Sequence, residues 1–197
     1  MHNFSRRTKV IAVFIIVVAV GYGIALFFEK QSKVPAGFAN ARGQGAIIAQ
    51  NIVSTSNQST ETLQKISQYD AEGDYTDALT LTQGLVSQSA ALKTQALDLS
   101  TQIGAMTQAL SGVKDFGAQQ DALEAISSHL ALINQLVNYS GDLSKLLNVL
   151  QAHFSGQPGT AGEVEGLVTQ INTDINAINN FNNQAKQAMT AFDKIEK

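Results

Sequence analysis

The stretch "VEGLVTQINTDINAINNFNNQAKQAMTAF", residues 164–192, decides the fold. Within it Val164, Val168, Ile171, Ile175, Ile178, Asn182, Ala185, Met189 and Phe192 recur in alternating steps of four and three. A chain turning every 3.6 residues brings such positions onto one stripe, whereas a strand would alternate every second residue. The spacing therefore predicts a helix over about 163–195 with an unbroken heptad seam and one polar member, Asn182.

A seam of this kind needs partners, and the chain before it supplies them. The segment "SGQPGTAG", 155–162, is the clearest loop. Ahead of it a helix over about 118–154 carries two parallel seams. One is Ile126, Leu130, Ile133, Val137, Ser140, Ser144 and Leu147; the other is Leu132, Leu136, Tyr139, Leu143, Leu146 and Leu150. So wide a stripe implies burial against more than one neighbour. A second helix, about 75–113, repeats the rhythm with Leu85, Ser89, Leu92, Ala96, Leu99, Ile103, Met106, Leu110 and Val113, and "SGVKDFG" marks the reversal after it. A first helix, about 45–72, places Ile48, Ile52, Thr55, Ser59, Thr62, Ile66 and Tyr69 on the same steps, with a small and polar middle. Between these two, Gly73 can take the left-handed position that ends a helix, and Asp74 can cap the next.

Four long helices with short connections predict an all-α fold, an elongated antiparallel up-down-up-down four-helix bundle over 45–197. Seven-residue spacing favours crossings near ~20° and coiled-coil-like packing. Two extended hairpins, or a bundle completed by another chain, stay open because the first seam is weakly apolar.

The N-terminal part has a different character. Residues 10–28 form an apolar run free of charge and proline. At 1.5 Å per residue the run reaches ~28 Å, close to the ~30 Å hydrocarbon thickness of a bilayer. A secretory signal has a shorter apolar region and a small-x-small cleavage site close behind it. Here the triplet Ala39-Asn40-Ala41 lies more than ten residues beyond the run, and Phe27 and Phe28 close it. The expectation is one retained transmembrane helix, with a cleaved signal and a buried soluble helix as alternatives. The basic tail 1–9, with Arg6, Arg7 and Lys9, favours an N-terminus inside and a bundle outside the cytoplasmic membrane. Lys30, Lys33 and Arg42 on the far flank nearly balance that count. Residues 29–44, with Pro35, Gly37 and Gly43, read as a juxtamembrane linker. Ala19 and Gly23 form a small-xxx-small pair of the kind that lets membrane helices approach.

Composition narrows the function classes. Charged residues are 15% of the chain and cysteine is absent, which excludes disulfides, thiolate metal sites, thiol nucleophiles and a lipid-modified cysteine. From residue 45 onward seven basic residues face fifteen acidic ones, so nucleic-acid phosphates are an unsuitable partner. No Glu-x-x-His or His-x-x-x-His spacing supports a metal on the bundle, and His129 reads as a residue at the edge of a stripe. Ser127, Ser128 and His129 are adjacent on a helix and point in different directions, so they make no catalytic arrangement. Glu163, Glu165, Asp74 and Asp77 fall in first turns, where they complement the helix dipole. Neither an enzyme nor a cofactor is expected. Three glycosylation sequons, at Asn3, Asn57 and Asn138, read as chance matches. Asn172, Asn176, Asn179, Asn180, Asn182 and Asn183 give the last helix a neutral hydrogen-bonding face.

Polar seam positions are the remaining candidates. Asn182 can fix register, as a lone buried Asn does in coiled coils. It can also line a ligand pocket together with Thr55, Ser59 and Ser89.

Two local resemblances bear on this. "GDYTDAL", 73–79, resembles the inter-helix turn of a tetratricopeptide unit, with no second copy near Ser111, which implies a compact hairpin without an array. The layout is similar to the extracytoplasmic four-helix sensor domains of bacterial chemoreceptors, without their second span and signalling region. That similarity implies small-ligand sensing as one function. The other expectation, placed first, is a membrane-anchored scaffold of the cell envelope that works through a protein partner or self-association.

Overall fold

A computed structural model describes residues 34–157 and 160–195. These form four helices and no strand among the described residues: α1, Ala36–Glu72; α2, Tyr75–Ala109; α3, Phe116–Phe154; and α4, Ala161–Ile195. A single 3₁₀ turn, Leu110–Gly112, follows α2. The chain is thus a helical bundle, as its periodicity implies. Among the described residues no helix is long and apolar enough to cross a membrane. The run at 10–28 and its flanks Arg6, Arg7, Lys9 and Lys30 lie outside the described residues.

The reversals are built from local chemistry. Gly73 adopts φ 79°, and its N–H and that of Asp74 return to the carbonyls of Asp70 and Tyr69. A side chain at that angle would meet its own backbone, which is why glycine stands there. Asp74 then accepts from the Asp77 N–H and opens α2. Asp115 does the same for α3, accepting from the Ala118 N–H at 2.8 Å. At that end Gly112 lies under Pro35, where an added Cβ would come within 2.8 Å of the ring.

Consecutive helices run antiparallel. Gly37 faces Ala109 and Gly45 faces Leu99, while Ser59 reaches Gln88, so α1 numbers rise as α2 numbers fall. Ser89 meets Ser140 across α2 and α3. The ring closes between α1 and α4 through Phe38 against Phe192, with centroids 5.2 Å apart, and through Arg42 to Asp193.

Every residue of the α2 seam and every residue of the α4 seam is buried. In α3 the seam from Leu132 to Leu150 is buried throughout, whereas Leu130 of the other seam is exposed. The first helix differs most. It begins at Ala36 and takes in half of the expected linker, burying Phe38, Ala41, Gly45, Ala46 and Ala49. Farther on, Ile52, Ser59 and Ile66 are buried as expected, yet Ser56 and Leu63 go inward while Thr55 and Thr62 are only part-buried. Two four-three rhythms share the 52/59/66 line, and the one that buries Leu63 removes more apolar surface from water.

Candidate functional site

In the half of the bundle nearest Phe38 the four helices line a part-open cavity of about 40 Å³. Its space arises on α1, where Gly45, Ala46 and Ala49 present almost no side chain. Opposite them stand larger apolar groups: Leu99 and Ile103 from α2, Leu132 and Leu136 from α3, and Met189 from α4. A water needs ~10–15 Å³ measured in this way, so there is room for about three water-sized groups.

Three polar side chains line this otherwise apolar space: Arg42, His129 and Asn182. Arg42 is neutralised, since its two terminal nitrogens donate to the two carboxylate oxygens of Asp193 at 2.7 and 2.8 Å. His129 Nδ1 lies 2.8 Å from the Ala125 carbonyl. A carbonyl only accepts, so Nδ1 carries the proton and Nε2 of the neutral ring is left as an acceptor. Burial lowers the His129 pKa below 6.5; the bond to the Ala125 carbonyl opposes that shift, and the Arg42 charge adds to it. Asn182 is 8% exposed, and no hydrogen bond joins its amide to another described residue.

The four polar seam positions expected to share a pocket are placed apart. Ser59 is fully buried between α1 and α2, with Oγ 2.9 Å from the Thr55 carbonyl and 3.0 Å from the Gln88 side chain. Thr55 Oγ1 accepts from Gln95 in that same interface. Ser89 faces α3 instead. It donates to the Ser140 carbonyl at 2.9 Å, and Ser140 returns a 2.7 Å bond to the Ser89 carbonyl. These hydroxyls are spent on holding helices together. Of the four, Asn182 alone lines the cavity.

A second polar cluster sits between α3 and α4. Asp142 and Asp174 are both buried, and Lys145 donates to Asp142 Oδ1 at 2.6 Å. Gln170 donates to Asp174 Oδ1 at 3.2 Å, while Asp174 Oδ2 is buried with no partner. Burial first, and the neighbouring Asp142 next, raise the Asp174 pKa. A proton on Asp174 turns that acceptor into a donor toward Asp142. At the far end of the bundle His153 lies between Asp70 and Thr160, and Tyr75 stacks on Phe154. That group ties both hairpin ends to one another.

Sequence reasoning passed over Arg42, Asp142 and Asp174. Arg42 fell in the expected linker, although Phe38, Ala41 and Gly45 continue the four-three rhythm backward from Ile52 by way of Ile48 or Ala49. Asp142 lies three residues after Tyr139 and four before Leu146, a seam interval that could have flagged it. No group of three or more His, Cys, Asp or Glu residues among the described ones could hold a metal ion.

Comparison with protein-family models, curated proteins and solved structures finds no match to this chain.

Proposed function

We propose that the chain is a membrane-anchored helical bundle of the cell envelope, acting as an interaction component through a protein partner. The apolar run at 10–28 supports the anchor, with the N-terminus inside and the bundle outside the cytoplasmic membrane. The observation that carries the interaction role is a stripe on α3. Phe116, Leu123 and Leu130 follow one another at seven-residue intervals and are 79%, 50% and 43% exposed. Such spacing on the outside of a helix is what a further helix packs against. Between Phe116 and Leu130 the charged residues are Asp121 and Glu124, with no lysine or arginine. A second copy would set acid against acid, so the occupant that fits is an amphipathic helix of another protein with basic flanks. The test is a photo-crosslinking residue at Leu123 in cells. A heterologous adduct supports the reading, and an adduct of twice the chain's own mass replaces it with self-association.

A second reading, small-ligand sensing, is favoured by the cavity, because Asn182 and His129 line it and neither the Asn182 amide nor His129 Nε2 is hydrogen-bonded to another described residue. Neither reading needs a catalytic group or a cofactor. Titrating the purified full chain with small solutes and following its stability tests the second.

A further inference from the structure

We infer that the end of the bundle formed by Pro35, the α2–α3 reversal and Ile195 is a membrane-contact surface, with Phe116 set into the lipid headgroup layer beside the anchor. The inference rests on the membrane-anchor reading of 10–28 and adds a second point of contact to it. Three parts of the chain meet at this end. Gly112 lies against Pro35, and Gly117 lies against Ile195, where an added Cβ would come within 3.3 Å. The start of α1, the turn between α2 and α3, and the finish of α4 therefore make one surface.

Chain length brings that surface close to lipid. Only residues 29–33 separate Phe28, which closes the apolar run, from Val34, the first described residue. Such a stretch spans at most ~18 Å, and the headgroup layer itself takes up ~5–8 Å of that. Lys30 and Lys33 outnumber Glu29 within it. The opposite end, at Gly73 and Gly156, is a helix length of ~50 Å farther away.

Side-chain chemistry distinguishes the two ends. Phe116 is 79% exposed, the most of any large apolar residue described, and Ile195 is exposed as well. Lys114 and Lys194 are exposed at the same end. Its nearest acids are engaged: Asp115 accepts from the Ala118 N–H, and Asp193 holds Arg42. An apolar ring flanked by lysines suits a headgroup boundary, with the ring toward the acyl chains and the ammonium groups toward phosphate. The far end exposes Glu72, Asp77, Glu163 and Glu165, with no lysine or arginine in 66–92 or 146–185. Anionic headgroups repel an end of that kind. Leu123 and Leu130 stand ~10 and ~21 Å farther along α3 and are left to the partner helix.

The test uses the full chain in nanodiscs of phosphatidylcholine and phosphatidylglycerol, followed by NMR. Magnetisation transfer between the Phe116 ring and lipid acyl-chain protons is expected, with none from the Tyr75 ring at the other end. A spin label on the lipid headgroup should broaden the Lys114 amide. Phe116→Gln should weaken that contact equilibrium about tenfold, the worth of a largely buried Phe ring, while core amides keep their shifts. A Phe116 ring that exchanges magnetisation with water alone, in a chain still held in the discs, overturns the contact and leaves the anchor standing. Equal broadening of Lys114 in Phe116→Gln also overturns it, because the short linker alone would then hold the end near the surface. Broadening at Tyr75 in place of Lys114 overturns the orientation and the contact together. A chain that elutes apart from the discs overturns the anchor reading, and the inference with it.

Discussion

Arg42 and Asp193 stand 151 residues apart in sequence and meet as a two-pronged ion pair, with nitrogen–oxygen distances of 2.7 and 2.8 Å. The pair joins the first helix to the last beside the Phe38–Phe192 contact, and so fastens the bundle where no loop does. Parallel bonds between guanidinium and carboxylate are geometrically specific. Asp193 is 40% exposed, which screens the attraction. A double-mutant cycle of Arg42→Ala and Asp193→Ala should therefore give a coupling of about 1 kcal/mol. A coupling indistinguishable from zero would mean that aromatic packing alone closes the ring.

Asn182 should behave as a residue kept at a cost to stability. Its amide makes no hydrogen bond to another described residue and stands in an apolar seam, so Asn182→Leu should stabilise the chain by about 1 kcal/mol, read from the hydrogen exchange of core amides. A loss of stability would assign Asn182 to register and packing instead.

Asp174 gives the chain a pH dependence of known sign. Asp174 holds its proton to higher pH when folded than the usual 3.8. Its contribution is complete below 3.8 and is lost as pH rises through the folded value, because the unfolded chain ionises more readily. Asp174→Asn should be nearly neutral in acid and increasingly stabilising toward neutral pH. A stability difference that is the same at every pH would contradict this.

His129 acts in the opposite direction. Its folded pKa lies below 6.5, so its contribution is present above 6.5 and is lost as pH falls from there toward the folded value. His129→Gln should remove that part of the acid sensitivity. Following the Nε2 and Nδ1 shifts of the native ring through acidification checks the assignment directly, and a ring that protonates at 6.5 or above would refute it.

What was legible in the sequence depended on how strongly each helix marked its inner face. In α2 and α4 large aliphatic residues alternate with polar ones, and every seam position from Leu85 to Val113 and from Val164 to Phe192 is buried. Such faces are set by local periodicity. In α1 the inner face between Phe38 and Ile52 is Ala41, Gly45, Ala46 and Ala49, residues too small to give a hydropathy signal, and Pro35 and Gly37 obscured the helix start. The cavity exists because that small-residue segment lies level with His129 and Asn182 from two other helices. No pattern within one helix encodes such a juxtaposition. Asp142 and Asp174 were missed for a related reason: a carboxylate is ordinarily solvated, and only the α3–α4 contact buries these two.

The apolar stripe makes a separate claim on stability. Phe116, Leu123 and Leu130 face outward, so replacing all three with Gln should change stability by about 0.5 kcal/mol or less per site. A cooperative loss of folding would show that the stripe is covered within the chain.

The interaction role is tested most directly by placing a photo-crosslinking residue at Leu123 in living cells, with Thr173 on the exposed side of α4 as control. The account predicts a discrete heterologous adduct from Leu123, absent from Thr173 and lost when Phe116 and Leu130 are both changed to Gln. No adduct at Leu123, or equal labelling at Thr173, would contradict it.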